Sequence, residues 1–175
     1  VKDIYPGATS SIDGDLTNIN GTLFFASGDS TRGIELWKSD GTTAGTTLVK
    51  DLVSGPSSSN PNKLVNAAGT LYFYTGNGTA LWKSDGTDAG TIKLRDFSST
   101  SVSNLLEIAA FNGSIYFTAR TLETGWELWK TDGTAAGTYL LKDIDPGTGS
   151  STPLQLAVSG GKLYFSATIQ ASGTE

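Results

Sequence analysis

Histidine and cysteine are both missing from this chain of 175 residues. Their absence excludes Ser-His-Asp triads, thiol nucleophiles and histidine-based zinc sites from within the chain. Paired carboxylates, as glycosidases use them, remain chemically available, but no acidic pair stands out along the sequence. We therefore expect a protein that is not an enzyme, with no catalytic residues and no resident cofactor.

Charge and long apolar runs are also scarce. Charged residues make up 17% of the chain and the formal net charge is −5. This balance disfavours nonspecific binding to nucleic acid, which needs basic patches. No signal peptide and no apolar run long enough to cross a membrane is recognisable, so we expect no membrane insertion. The lack of cysteine does not assign a compartment, because a large β-fold can exist outside the cell without disulfides.

The chain does contain one pattern that recurs. The sequence Leu-Trp-Lys-Ser/Thr-Asp-Gly-Thr occurs at 36–42, 81–87 and 128–134. A tetrad of aliphatic residue, cation, aspartate and apolar residue occurs at 1–4, 49–52, 94–97 and 141–144. The aspartates of the tetrad are residues 3, 51, 96 and 143, which gives periods of 48, 45 and 47 residues. A repeat of this length sets the architecture.

Each repeat is predicted to form four short antiparallel strands. Asn20-Gly21 and Asn112-Gly113 are the strongest short hairpin signal, because both residue types readily adopt positive φ. There is no long helical periodicity. Leu36 and Trp37 are adjacent on a predicted strand and therefore point to opposite faces of its sheet. Two apolar faces suit a sheet that is packed between two neighbours.

The predicted fold class is all-β: a β-propeller-like array of four-stranded antiparallel blades, with about 3.5 repeats and incomplete end blades. A β-solenoid is the runner-up, although its repeats are usually shorter, and a β-sandwich does not explain the even period. We expect a single repeat array, either a segment of a longer array or a subunit completed by neighbouring copies. Its parts are the last strand of a preceding blade (1–4), three blades (5–52, 53–97 and 98–144) and a partial blade (145–175).

Recurring residues are interpreted first as structural. The tryptophans are predicted to pack between blades, and the alternative is a ring of sugar-stacking platforms. The aspartates of the tetrads are assigned to the same structural core. The residues concerned are Trp37, Trp82, Trp129, Asp51, Asp96 and Asp143.

The turns and strands of the repeat carry further carboxylates. Asp40, Asp85 and Asp132 each begin a turn and are predicted to accept backbone N–H bonds as Asx-turns. One aspartate per turn supplies too few oxygens for calcium. A hairpin that is symmetric about this turn places Glu35 opposite Lys50, which predicts a tolerant cross-strand ion pair.

Loops of variable length lie at the other end of each predicted meander, and recognition is expected there. Within these loops, Asp13-Gly14-Asp15 is a candidate for holding a calcium ion, and no other metal site is predicted. The candidate ligand-binding residues are Tyr5, Asp13, Asp15, Asp29, Arg32, Arg120, Glu123 and Trp126.

These motifs resemble the bacterial ELW-x-x-DGT repeat family. Residues 34–37, 126–129 and 143–147 follow its pattern closely, and the resemblance covers nearly the whole chain. It implies large secreted or surface-exposed bacterial proteins with a propeller-like fold and no known catalytic residues. The middle repeat departs from the pattern, because Ala80 stands where the others have Glu.

Two functions of different classes follow. The first is a structural or adhesive module of a bacterial extracellular or cell-surface protein, assembling with other copies or further repeats through its incomplete end blades. The second is a lectin-like propeller that binds carbohydrate through the variable loops. Glycans and surface proteins are the partners that these functions imply, and we favour the first.

Overall fold

The structure is a computed structural model that describes residues 2–5, 7, 12–29, 31–76, 78–98 and 105–169, without the side chains of residues 12, 13 and 15. Within these residues the chain forms fourteen strands and no helix. The strands are β1 (Ile12–Ile19), β2 (Thr22–Asp29), β3 (Gly33–Ser39), β4 (Thr47–Lys50), β5 (Asn62–Ala67), β6 (Thr70–Thr75), β7 (Ala80–Ser84), β8 (Ile92–Asp96), β9 (Leu105–Phe111), β10 (Ser114–Thr121), β11 (Gly125–Thr131), β12 (Tyr139–Lys142), β13 (Leu154–Ser159) and β14 (Lys162–Ser166).

The strands form three four-stranded sheets and one hairpin, each in chain order. The orders are β1-β2-β3-β4, β5-β6-β7-β8 and β9-β10-β11-β12, followed by the pair β13-β14. The pairings within the first and third sheets, between β5 and β6 and within the final hairpin are antiparallel. The predicted all-β class with four-stranded antiparallel sheets is therefore confirmed.

Two-residue turns join the first two strands of each sheet. Asn20 and Gly21 have φ of 51° and 87°, and Asn112 and Gly113 have φ of 47° and 70°. Both signs are those of the type I′ turn, which confirms the two Asn-Gly predictions. In the second sheet Ala68 adopts a φ of 50° at the same place. An alanine in this region is strained by roughly 1–2 kcal/mol, so the hairpin tolerates the loss of Asn at a cost.

The chain divides into two compact units. Unit 1 comprises Val1–Asn77 with Leu81–Lys93, and unit 2 comprises Gly78–Ala80 with Leu94–Glu175. Unit 1 therefore contains the first sheet and most of the second. Unit 2 contains the third sheet and the final hairpin.

Both faces of the first sheet are apolar and covered. On one face Phe24 and Leu36 belong to a buried cluster with Leu71 and Phe73 of the second sheet. On the other face the neighbouring residues Phe25 and Trp37 form a buried cluster with Ile4. The alternation of side chains along a strand thus places adjacent residues in two different cores, as the sequence predicted.

The core of unit 2 is built on aromatic rings. Phe97, Phe117 and Trp129 contact one another, with ring centroids 5.3 to 6.4 Å apart. Phe97 meets the other two rings edge-on, an arrangement that rings with a negative face and positive edge prefer. Phe97, the last residue of the tetrad at 94–97, is thereby buried against the third sheet.

The tetrad at the start of the chain is not a strand where it is described. Residues 2–5 form no strand, and Val1 lies outside the described residues. A strand requires a paired backbone, and residues 2–5 instead rest on the first sheet through side chains. Ile4 is buried there, and the Lys2 Nζ atom lies 3.4 Å from the carbonyl oxygen of Thr46. The predicted strand at 1–4 is therefore wrong for the described part.

Candidate functional site

The Asp-Gly-Thr turn is the most constant structure in the chain. The Asp40 Oδ1 atom accepts hydrogen bonds from the Thr42 N–H (2.9 Å) and the Thr42 hydroxyl (2.7 Å). The N–H of Gly45 donates in turn to the Thr42 hydroxyl oxygen, at 2.9 Å. The turns that begin at Asp85 and Asp132 repeat these contacts within 0.1 Å. All three aspartates thus form Asx-turns reinforced by a threonine.

Both glycines of this turn are required by its geometry. Gly41 has a φ of 91°, a region that L side chains rarely adopt. Gly45 has no such φ, but a Cβ atom on it would lie 2.0 Å from Asp40 Oδ1. The carboxylate therefore lies against the second glycine, and the same holds at Gly90 and Gly137.

The hydrogen bonds of the turn favour the ionised aspartates. The Thr42 hydroxyl and N–H hold the pKa of Asp40 below its ordinary value of 3.8. Thr87 and Thr134 lower the pKa of Asp85 and Asp132 in the same way. The turns therefore present three exposed carboxylates that stay charged to a lower pH than an isolated aspartate.

Glu35 is fully buried and clamps the connection to the next repeat. Its carboxylate accepts hydrogen bonds from the Leu52 N–H (2.9 Å), the Ser59 N–H (3.0 Å) and the Ser59 hydroxyl (2.6 Å). Burial raises the pKa of Glu35 above its ordinary value of 4.5, against the opposing effect of these donors. We call Glu35 with Leu52 and Ser59 the first glutamate clamp.

The third repeat contains the same arrangement. Glu127 is also fully buried, and it accepts from the Ile144 N–H (2.9 Å), the Ser151 N–H (2.9 Å) and the Ser151 hydroxyl (2.6 Å). The Asp145 N–H adds a longer bond of 3.3 Å. Glu127 with Ile144 and Ser151 is the second glutamate clamp.

The predicted ion pair between Glu35 and Lys50 is wrong. A bulge between Leu36 and Trp37 shifts the register of β3 against β4, so that Lys50 lies opposite Leu36. A one-residue shift moves a side chain to the other face of the sheet. The same bulge pairs Lys142 with Leu128 in the third sheet.

The cations of the tetrads instead contact the following repeat. Lys2 Nζ lies 5.5 Å from the centroid of the Trp37 ring. Arg95 lies 4.5 Å from the Trp129 ring centroid and donates to the carbonyl oxygen of Thr138 at 3.2 Å. Lys50 donates to the carbonyl oxygen of Asp88, at 2.9 Å. The tetrad is thus a docking segment whose cation reaches the next Asp-Gly-Thr turn or its tryptophan.

The three repeated tryptophans differ in their surroundings. Trp37 and Trp129 are buried, with 4% of each side chain exposed, so neither offers a face to a sugar. Trp82 is half-buried, and its Nε1–H donates to the Thr75 hydroxyl at 2.9 Å. The Nε1–H of Trp129 is buried without a partner among the described residues, because Ala119 stands at the place of Thr75.

The tetrad aspartates also differ from one another. One oxygen of Asp51 and one of Asp143 are buried and have no hydrogen-bond partner in the described part of the chain. Asp96 is exposed and accepts from the Ser98 N–H at 2.9 Å. Asp51 lies close enough to Glu35 to contribute to its raised pKa, after the larger effect of burial.

The predicted ligand-binding residues do not form one group. In unit 1 Asp29 and Arg32 are ion-paired at 3.0 Å within one hairpin turn, and the Thr31 hydroxyl lowers the pKa of Asp29. Tyr5 is 40% exposed in the same unit. The side chains of Asp13 and Asp15 lie outside those described. The proposed calcium site therefore remains a prediction.

In unit 2 Arg120 lies directly across the strands from Trp126, and Glu123 is exposed in the turn between them. The described residues contain no group of three or more His, Cys, Asp or Glu side chains placed to hold a metal ion.

Sequence reasoning missed the serines of the two clamps. Ser59 and Ser151 each follow their glutamate by 24 residues, as the numbering of Glu35 and Glu127 shows. Each also lies 12 residues before the next apolar triplet, which begins at Leu71 and at Leu163. This constant spacing was the signal that the sequence offered. The repeat without the glutamate has Ser103 at the same distance before Ile115, and Ser103 lies outside the described residues.

No family model matches this chain, and no curated protein matches it. Among solved structures, an alpha-L-arabinofuranosidase from Clostridium thermocellum is similar, with 19% sequence identity and a TM-score of 0.38. The match covers 93% of this chain and 61% of the enzyme chain. No described segment forms a helix with the length and apolar character that crossing a bilayer requires. The features that recur from repeat to repeat in the described residues are the Asp-Gly-Thr turns, the glutamate clamps and the docking tetrads.

Proposed function

We propose that this chain is a non-catalytic structural or adhesive module of a bacterial extracellular or cell-surface protein of the ELW-x-x-DGT type. In this proposal its sheets are the blades of a propeller-like array, and further repeats or other copies of the chain extend it. Surface proteins are the partners that such a module would contact.

The observation that carries the proposal is the docking tetrad. Ile4 with Lys2 packs on the first sheet, and Phe97 with Arg95 packs on the third sheet by the same chemistry. In each case an apolar residue enters a core and a cation reaches the turn beyond it. Each tetrad thus docks on the sheet that follows it. Repeats that dock in this way can be added one after another, because each contact is local and is made again by the next repeat.

The final hairpin supports extension of the array. Tyr164 and Phe165 in β14 are 53% and 37% exposed. The residues that match Phe165 in the three sheets, Phe25, Phe73 and Phe117, are at most 3% exposed. Of the residues that match Tyr164, Phe24 and Tyr72 are 4% and 6% exposed, and Tyr116 is half-buried. Aromatic positions that are largely covered in the earlier repeats are suited to burial against another repeat or another copy.

Sedimentation velocity over a wide range of concentration tests self-association. We expect the sedimentation coefficient to rise with concentration, and Tyr164→Lys to weaken that rise because it places a charge in the apolar contact. Tyr139→Lys is the matched control, since Tyr139 is 45% exposed on a different strand. A folded species that stays monomeric at every concentration would contradict assembly through the end repeats.

A further inference from the structure

Two hairpin turns of the chain consist of the same pair of residues. The β1–β2 turn is Asn20-Gly21 and the β9–β10 turn is Asn112-Gly113. All four residues are exposed and have a positive φ, and a Cβ atom on either glycine would meet nothing within 4 Å. A third such pair includes Asn77, which lies outside the described residues. The two described turns therefore offer the same backbone to solvent in the same conformation.

An asparagine followed by glycine has a chemical reactivity of its own. When base removes the proton of the glycine N–H, the nitrogen can form a bond to the side-chain carbon Cγ of the asparagine. The Cγ–Nδ2 bond then breaks, Nδ2 takes up a proton, and ammonia leaves. Glycine favours this step because it has no side chain to obstruct the approach of its nitrogen. The product is a five-membered succinimide ring within the backbone.

Water completes the reaction by opening the succinimide ring. Attack of water at Cγ gives aspartate, and attack at the backbone carbonyl carbon of the former asparagine gives isoaspartate. The chain of isoaspartate runs through Cβ and Cγ, so the backbone is longer by one atom. Either product adds one negative charge. Because a two-residue hairpin turn has a fixed geometry, the isoaspartate form changes the shape of the turn as well as its charge.

In the β1–β2 turn the attacking nitrogen is already engaged. The Gly21 N–H donates to Asn18 Oδ1 at 3.3 Å, and the second sheet has the same bond from the Gly69 N–H to Asn66 Oδ1 at 3.0 Å. Such a bond favours the protonated N–H, because the acceptor oxygen would repel the anion that base must create. The Asn20 amide is also confined, since a Cβ atom on Gly69 would lie 3.2 Å from its Nδ2 atom. Both contacts oppose ring closure at Asn20.

The β9–β10 turn lacks the side chain that makes this bond. Ala110 stands two residues before Asn112, at the place that Asn18 has in the first sheet. Among the described residues, no group accepts a hydrogen bond from the Gly113 N–H, and none forms a hydrogen bond with the Asn112 amide. Both reacting groups of this turn are therefore exposed to solvent and unrestrained by the rest of the described chain.

We propose that Asn112-Gly113 is a site of spontaneous deamidation, and that Asn18 protects Asn20-Gly21 from the same reaction. The substrate is the chain itself, water is the co-reactant, and ammonia is released. Modification places an additional negative charge on the β9–β10 turn, in unit 2. This site does not rest on the structural or adhesive role proposed above, because the reaction requires only the turn and solvent.

Incubation of the folded full chain at mildly alkaline pH, followed by tryptic digestion and mass spectrometry, tests the site. Cleavage after lysine and arginine places Asn20 in peptide 3–32 and Asn112 in peptide 96–120, and the third Asn-Gly pair falls in a separate peptide. Fragment spectra locate the modified residue. Asn112 should convert faster than Asn20 by a factor of about two to ten, the effect of one hydrogen bond. Asn18→Ala should raise the Asn20 rate by a similar factor, whereas Asn18→Asp, which keeps an acceptor oxygen, should not.

Each variant contains its own control, because the other turn is unchanged. Asn18→Ala should leave the Asn112 rate as it was, and Ala110→Asn should slow Asn112 without affecting Asn20. Thermal melting checks that the variants are folded. The proposal is overturned if Asn20 converts as fast as Asn112 in the unmodified chain, or if Asn18→Ala leaves the Asn20 rate unchanged. It is equally overturned if Asn112 stays intact while a short unfolded peptide of the same sequence converts.

Discussion

Glu35 and Glu127 occupy matching places in the first and third sheets, whereas the second sheet has Ala80. With the glutamate present, the N–H group 17 residues later donates to its carboxylate, as Leu52 and Ile144 do. With alanine, the N–H of Phe97 at the same spacing donates to the backbone oxygen of Thr79 at 2.7 Å. The same donor thus finds a side-chain acceptor in two repeats and a backbone acceptor in the third.

The comparison shows that the buried glutamate is one of two ways to provide an acceptor for the same backbone N–H. Buried backbone donors must be satisfied, and the two kinds of repeat do this by different routes. The glutamate satisfies both the N–H at position 17 and the serine at position 24, so it fixes two points of the connection. In the described residues, the backbone route accounts for the first of these points.

The largest effect is expected from breaking the first glutamate clamp. Glu35→Ala removes the acceptor of the Leu52 N–H and the shorter of the two bonds of the Ser59 hydroxyl, whereas the N–H and hydroxyl of Ser59 retain bonds to the carbonyl oxygen of Ile34. Buried donors without partners should lower the free energy of unfolding by about 2–4 kcal/mol. Urea denaturation measures the change.

Exposed Glu123 supplies the control, because Glu123→Ala should change stability by less than about 0.5 kcal/mol. Equal stabilities of the Glu35 and Glu123 variants would show that the clamp does not support the fold.

A smaller effect is expected from placing the glutamate in the middle repeat. Ala80 is 6% exposed and the Phe97 N–H is already bonded, so Ala80→Glu adds a carboxylate without its main donor. We expect a loss of about 1–3 kcal/mol from overpacking and an unpaired charge. Ala80→Ser, which is small and neutral, should cost less in the same denaturation experiment. A gain of stability on adding the glutamate would contradict this expectation, because the added carboxylate would then have found donors of its own.

Much of the fold follows from periodicity. Adjacent apolar residues such as Phe24 and Phe25 predict a sheet with two dry faces, and Asn20-Gly21 predicts its first turn. Both are local patterns, which is why they can be read from one sequence. The Asx-turn follows equally from the chemistry of Asp40 and the residues beside it.

The candidate site could not be predicted in this way. The bulge beside Leu36 changes which residue faces Lys50, and nothing local in the sequence marks a one-residue shift. Glu35 was predicted to pair with Lys50 across the strands, whereas its partners Leu52 and Ser59 lie 17 and 24 residues away in the chain.

The turn aspartate Asp40 and the clamp glutamate Glu35 should make the stability of the protein depend on pH in opposite directions. The lowered pKa of Asp40 means that the unfolded state binds more protons below the ordinary value of 3.8, so this turn loses stability as pH falls through the folded pKa. Glu35 has the opposite sign. Its raised pKa means that the folded state binds more protons above 4.5, so stability falls as pH rises through the window up to the folded pKa.

Denaturation midpoints measured across the acid range check both signs. Glu35→Gln, which is neutral throughout, should flatten the fall on the side above pH 4.5 and leave the loss below pH 3.8 unchanged. If the variant instead flattened only the acid side, the burial of Glu35 would not govern its titration.

The smallest expected effect concerns two tryptophans. The Nε1–H of Trp82 has the Thr75 hydroxyl as its acceptor, whereas the Nε1–H of Trp129 is buried with no acceptor among the described residues. Ala119 occupies the place of Thr75 in that repeat. Thr75→Ala should therefore lower the free energy of unfolding by about 0.5–1.5 kcal/mol, and Ala119→Ser should raise it by a similar or smaller amount. Ala119 is fully buried, so the substitution must add as little volume as possible. Serine adds an acceptor with a single extra heavy atom. Chemical denaturation measures both changes, and indole N–H chemical shifts report which tryptophan gained or lost its bond. If Ala119→Ser raised the stability without changing the chemical shift of the Trp129 indole N–H, the new hydrogen bond would lie elsewhere. The explanation of the difference between the two tryptophans would then be wrong.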